Sequence, residues 1–131
     1  DYHKITQEQI NQFSDATLDY QWIHVDTKRA KKESPYAATI AHGYLSISVL
    51  PYLWNQVIEV HNITMLVNYG IENLKFGQPV VVDSEVRIKT TLKSLINLRG
   101  TAKAEVELVM EIKNSKKPAY KGVIVFLYQF K

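Results

Sequence analysis

Asp19-Tyr20-Gln21-Trp22-Ile23-His24-Val25-Asp26 is the stretch of this sequence best equipped for chemistry. A carboxylate stands five residues before an imidazole, with two aromatic residues and an isoleucine between them to pin the segment to a core. Apolar surroundings raise a carboxylate's pKa toward the range of a general base. Asp19 and His24 therefore have the residue types to hold one water between them and move its protons. Spacing by itself leaves a second reading open, in which Asp19 caps the loop and His24 is a satisfied structural histidine. Asp and His are common, and their interval here is not diagnostic.

A second stretch, Ile40-Ala41-His42-Gly43-Tyr44, stands where a helix is expected to begin. The first amides of a helix have no partner inside it, and a glycine lets another group approach the backbone closely. With the helix dipole adding favourable potential, Gly43 is a candidate donor to an oxyanion that develops during a reaction. The alternative is a glycine chosen for tight packing. His42 is expected to cap the helix or to pack, without a catalytic role.

Other chemistries find less support. His3 and His61 are expected to be exposed, and four scattered histidines do not present a metal site at suitable spacing. Ser46 and Ser48 have no histidine arranged as a base nearby in sequence. No glycine-rich phosphate loop follows a strand. The absence of cysteine excludes disulfides, thiolate metal sites and a Cys nucleophile, and it fits a reducing cytoplasm.

The net charge of +3 is mild, and no basic stripe interleaves with aromatics or glycines, so nucleic acid is not an expected partner. The denser run Lys28, Arg29, Lys31, Lys32 reads first as a solvated face. Its alternative role is an anchor for a phosphate-bearing ligand. No apolar run reaches the roughly 18 to 20 residues of a membrane helix. The N-terminus lacks a signal peptide's basic and apolar segments, and it starts at Asp1 rather than Met, so residues are expected to precede it.

The elements that must position these residues follow from pattern. With 131 residues, 46% hydrophobic, one domain spanning 1–131 is expected. Thr6-Gln7-Glu8-Gln9 forms a capping box before a short helix through Ile10 and Phe13 that ends near Leu18-Asp19. Residues 20–40 read as a long ordered loop with one helical turn near 27–32. From Ala41 to Ile58 the chain is apolar on nearly every side, as a core helix is, with a bend at Pro51. Strands are expected near 65–76, 86–92, 102–112 and 120–130, where apolar residues alternate. The fold class is α+β, a long antiparallel sheet wrapped around a buried central helix.

The strings DYQWIHVD and SPYAATIAHGYLSISVLPYL, with VNYG at 67–70 and KFGQPV at 75–80, resemble the MaoC-like dehydratase family in its nodulation-protein-N-like branch. The likeness runs from Ile5 through the last strand and is densest between Asp15 and Pro51. It implies a hotdog fold, usually dimeric, and syn hydration of a trans-2-enoyl-CoA to an (R)-3-hydroxyacyl-CoA or the reverse dehydration. It further implies that Asp19 and His24 bind and activate the water, and that Gly43 gives its N–H to the thioester oxygen. Coenzyme A enters as part of the substrate, and no separate cofactor or metal is implied. Gln21-Trp22 stands where the family's more familiar motif has Asn-Pro, which bears on the acyl pocket rather than on the pair. Tyr44, Asn68, Tyr69 and Arg87 are secondary candidates for substrate contact. A thioesterase on the same fold, or a non-catalytic module binding acyl thioesters, are the alternative functions.

Overall fold

A computed structural model describes all 131 residues of the chain. Strand β1 (His3–Lys4) leads into helix α1 (Gln7–Thr17). Thr6 caps α1, its Oγ1 accepting from the Gln9 N–H at 3.1 Å. The return half of the capping box is not made, because the Gln9 amide oxygen pairs with His3 Nε2 at 3.0 Å. His3 is accordingly half-buried rather than exposed, and it packs edge-on against Tyr52. The segment 20–40 holds α2 (Trp22–Val25), which was not expected, and α3 (Thr27–Glu33), where one helical turn near 27–32 was. Asp26 starts the second of them by accepting from the Arg29 N–H at 3.0 Å.

The central helix is split into α4 (Gly43–Ser48) and α5 (Leu50–Val57). Pro51, near the start of α5, has no N–H to continue the ladder, so the break falls at the preceding turn rather than as a bend at the proline. Nor is the helix buried all round. Leu45, Leu50, Leu53 and Trp54 are core, whereas Tyr44 and Tyr52 face outward. Two buried phenols tie the helices to the sheet: Trp54 Nε1–H donates to Tyr128 Oη at 2.7 Å, and Tyr120 O–H donates to the Ser46 carbonyl at 3.1 Å.

Strands β2 (Ile63–Phe76), β3 (Glu85–Asn97), β4 (Thr101–Ile112) and β5 (Tyr120–Phe130) join β1 in one antiparallel sheet of order β1-β3-β4-β5-β2. In β4 the expected period-two pattern holds over the whole strand. Ala102, Ala104, Val106, Leu108, Met110 and Ile112 are all buried against the helices. Burying such side chains contributes roughly 1.5–3 kcal/mol each for the larger ones, as an upper bound. In β3 the pattern fades. Val86 is buried, but Leu92 is 58% exposed, and a bulge follows it.

Candidate active site

The left-handed backbone at Leu18 (φ 63°) ends α1 and turns the chain so that Asp19 follows immediately. Such a conformation costs a non-glycine residue on the order of 1–2 kcal/mol. His24 is held from two sides. Its Nδ1 meets the Ile40 carbonyl at 2.7 Å, and its own carbonyl accepts from the Gln7 side-chain amide at 2.8 Å. A carbonyl can only accept, so Nδ1 carries the proton and Nε2 keeps a free lone pair. Ile40 is itself fixed, its N–H bonding to the Ile23 carbonyl and its backbone bridging Val81.

His24 thus lies on a helix of four residues, not in a loop, and it is buried, while Asp19 is partly exposed. A carboxylate oxygen of Asp19 and a ring nitrogen each of His24 and His42 all lie within 4.8 Å of one another. One water accepting and donating at about 2.8 Å spans about 4.6 Å between its two partners, so the pair is close enough to share a single water.

The three residues following Ile40 bring the rest. His42 stacks on His24 with ring centroids 3.9 Å apart and planes 24° from parallel. Gly43 opens α4, and a side chain there would collide with the Phe76 ring, whose Cε1 is 2.9 Å from where a Cβ would stand. Both readings of Gly43 therefore have a physical basis: the packing requires glycine, and the amide is free of intrahelical partners. With only six residues in α4, the amide itself must do what the helix dipole would otherwise share.

Asp19, His24, His42, Gly43 and Tyr44 line one cavity of about 380 Å³, closed on the far side by Phe76 to Val80 and Ala119. That volume is in the range of small-ligand sites.

Two of the four histidines scattered in the sequence are brought together with a carboxylate by the fold. Two imidazoles and a carboxylate are a common metal-ligand set. Ring-nitrogen lone pairs lie in the ring planes, however, and two stacked rings direct them nearly side by side. So placed, they do not converge on one ion. Burial holds His42 below the ordinary histidine value, and the nearby His24 adds to this, against the opposing pull of the Asp19 carbonyl and carboxylate.

The remaining candidates lie elsewhere. Asn68 and Tyr69 line a second cavity of about 460 Å³ between the α4–α5 break and a bulge in β2. Arg87 is on the outer face of β3. There it bonds Glu111 at 2.9 Å and covers the Tyr2 ring, so it is already partnered and remote from the cavity. In the basic run, Arg29 pairs with Glu33 and stacks on Trp22.

Sequence reasoning gives no role to Ser14, and of the two expected for His42, capping or packing, its ring makes no cap hydrogen bond and packs instead. The one available signal was a serine four residues after Ile10 on the buried stripe of α1.

A family model described as the MaoC like domain matches residues 2–114. 3-Hydroxyacyl-thioester dehydratase Z of Mycobacterium tuberculosis is 42% identical over 120 residues, covering 91% of this chain and 79% of that protein. Nodulation protein N of Rhizobium leguminosarum bv. viciae is 36% identical over 129 residues, covering 96% and 80%. Among solved structures, the (R)-hydratase from A. caviae superposes with a TM-score of 0.78 at 20% identity, over 95% of this chain and 89% of that one. The likeness to that structure shows a shared hotdog fold, the helix-wrapping sheet expected from the sequence. Motif, fold and sequence likeness agree, and the chain belongs to the MaoC-like dehydratase family.

Proposed function

We propose that this protein is a hydro-lyase that adds water to a trans-2-enoyl-CoA, giving the (R)-3-hydroxyacyl-CoA, or runs the reverse dehydration. One observation supports the reading: a carboxylate oxygen of Asp19 and a ring nitrogen of His24 lie within 4.8 Å, close enough to share a water, in the cavity that Gly43 also lines. The pair takes one proton from that water as its oxygen bonds to C3, and returns one to C2 from the same face. The electron pair moves through the enolate, whose oxygen accepts from the Gly43 N–H. A single well-placed donor of this kind is worth several kcal/mol in the transition state. No metal or organic cofactor enters the scheme. A homodimer and a cytoplasmic location, which fits the cysteine-free sequence, belong to the same proposal.

Loss of the conjugated-enoyl absorbance of crotonyl-CoA reads the reaction directly. Asp19→Asn and His24→Ala are each expected to slow it by about 10² or more with the fold intact, as for a lost general acid–base group. Wild-type rates in both variants would overturn the assignment. Release of free thiol from a saturated acyl-CoA would instead favour a thioesterase, and binding without turnover a non-catalytic module.

A further inference from the structure

His42 is fully buried and uses its ring in three directions at once. Its Nε2 lies 3.0 Å from Ser14 Oγ and 3.3 Å from the Asp19 carbonyl oxygen. One ring face stacks on His24 at 3.9 Å, and Phe13 packs against the ring with centroids 4.8 Å apart. The Asp19 carbonyl can only accept, so the proton sits on Nε2. Nδ1 is then a bare lone pair, buried with no partner. A second proton there would create an N–H with nothing to bond and a cation stacked on His24, so the ring stays neutral.

Three successive elements therefore meet on this one ring, which comes from further along the chain: Ser14 of α1, the Asp19 turn, and His24 of α2. We infer that His42, anchored by Ser14, is a positioning residue that ties the Asp19 turn to the His24 ring so that both face the same water. The inference rests on the proposed hydration, but its geometry does not. Asp19 otherwise has little to hold it. It is partly exposed, follows a left-handed Leu18, and its carboxylate meets only the Gln21 N–H at 3.4 Å. The tie through His42 fixes the backbone of Asp19, and the stack fixes the plane of His24.

The test compares Ser14→Ala, His42→Phe and His42→Gln with wild type in two measurements. In crotonyl-CoA hydration, Ser14→Ala is expected to lower kcat about tenfold and His42→Phe about a hundredfold, with KM within about threefold, the scale of a displaced catalytic group. His42→Gln, whose side-chain amide reaches the Nε2 position, is expected to recover part of the loss. In backbone NMR relaxation, order parameters at 19–21 are expected to fall from about 0.85 toward 0.6 in Ser14→Ala while those of β4 hold.

Wild-type kcat in Ser14→Ala and His42→Phe would overturn the inference. So would a loss of order spread evenly over the sheet, which marks a merely structural residue. If His42→Phe fails to fold, Ser14→Ala, which keeps the ring, decides. If the wild type does not hydrate the probe, the hydratase reading falls alone, and the relaxation measurement decides the tie.

Discussion

At the scale of single residues, His42 makes stability depend on pH. Burial lowers its pKa from the ordinary value of about 6.5, so below that pH the unfolded chain binds a proton that the folded ring refuses. Stability is thus complete above the unfolded value and declines as the pH falls through it. Denaturant midpoints at about pH 7.5 and about pH 5.5, on either side of that value, read this. Wild type is expected to lose more on acidification than His42→Gln, which has no ring to charge. Equal losses would mean that His42 charges as freely folded as unfolded. The same residue marks the limit of reading the site from sequence. Asp19 and His24 were legible because both fall in one short segment whose motif resembles a family. The His42–Ser14 contact was not, because it spans 28 positions and exists only once α1 packs beside the start of α4.

At the scale of elements, long periodic segments announced themselves and short ones did not. The alternation in β4 persists for twelve residues and is borne out along all of them. Helix α2 is a single turn and β1 a pair of residues, too short for any period to register. Helix α3 is the exception, expected as one turn near 27–32, and Asp26 before Thr27 is a favourable N-cap for it. The sheet's curl depends on a close approach that the sequence shows only as a glycine in a strand. A Cβ at Gly122 of β5 would stand 2.8 Å from the Leu74 Cα of β2, a backbone atom that cannot yield without opening the bulge beside it. Gly122→Ala is therefore expected to destabilise the fold by about 1–3 kcal/mol, the usual cost of overpacking. Gly122 does not line the Asp19–His24 cavity, so the remaining folded protein's kcat should stay near wild type. Urea denaturation measures the first, and an unchanged midpoint would show that β2 and β5 separate there at no cost.

At the scale of the whole molecule, the problem is the outer edge of the sheet. Strand β2 is fourteen residues long, and only β5 pairs with it, which leaves one of its two edges open. Met65 (47% exposed), Tyr69 (61%) and Ile71 (52%) lie along it, with Val67 beside them. A long apolar edge of this kind is a template for another strand, and stable proteins blunt it with charge or cover it. Here β2 carries neither a proline nor, between Ile63 and Ile71, a charged residue. In the proposed homodimer a second copy would supply the matching surface, since a two-fold axis beside β2 would set the same apolar strand against itself in an isologous contact. The wild-type protein is accordingly expected to sediment at twice the chain mass at micromolar concentration. Met65→Lys with Ile71→Lys, which places like charges on both sides of the axis, is expected to shift it to monomer. A monomeric wild type would overturn the dimer, and an unshifted double variant would place the contact on another surface. The second cavity opens between the α4–α5 break and this same stretch of β2, at Asn68 to Ile71. Dimerisation there would close it from the solvent side, so the separated double variant should also bind the hydrophobic dye ANS more strongly than wild type.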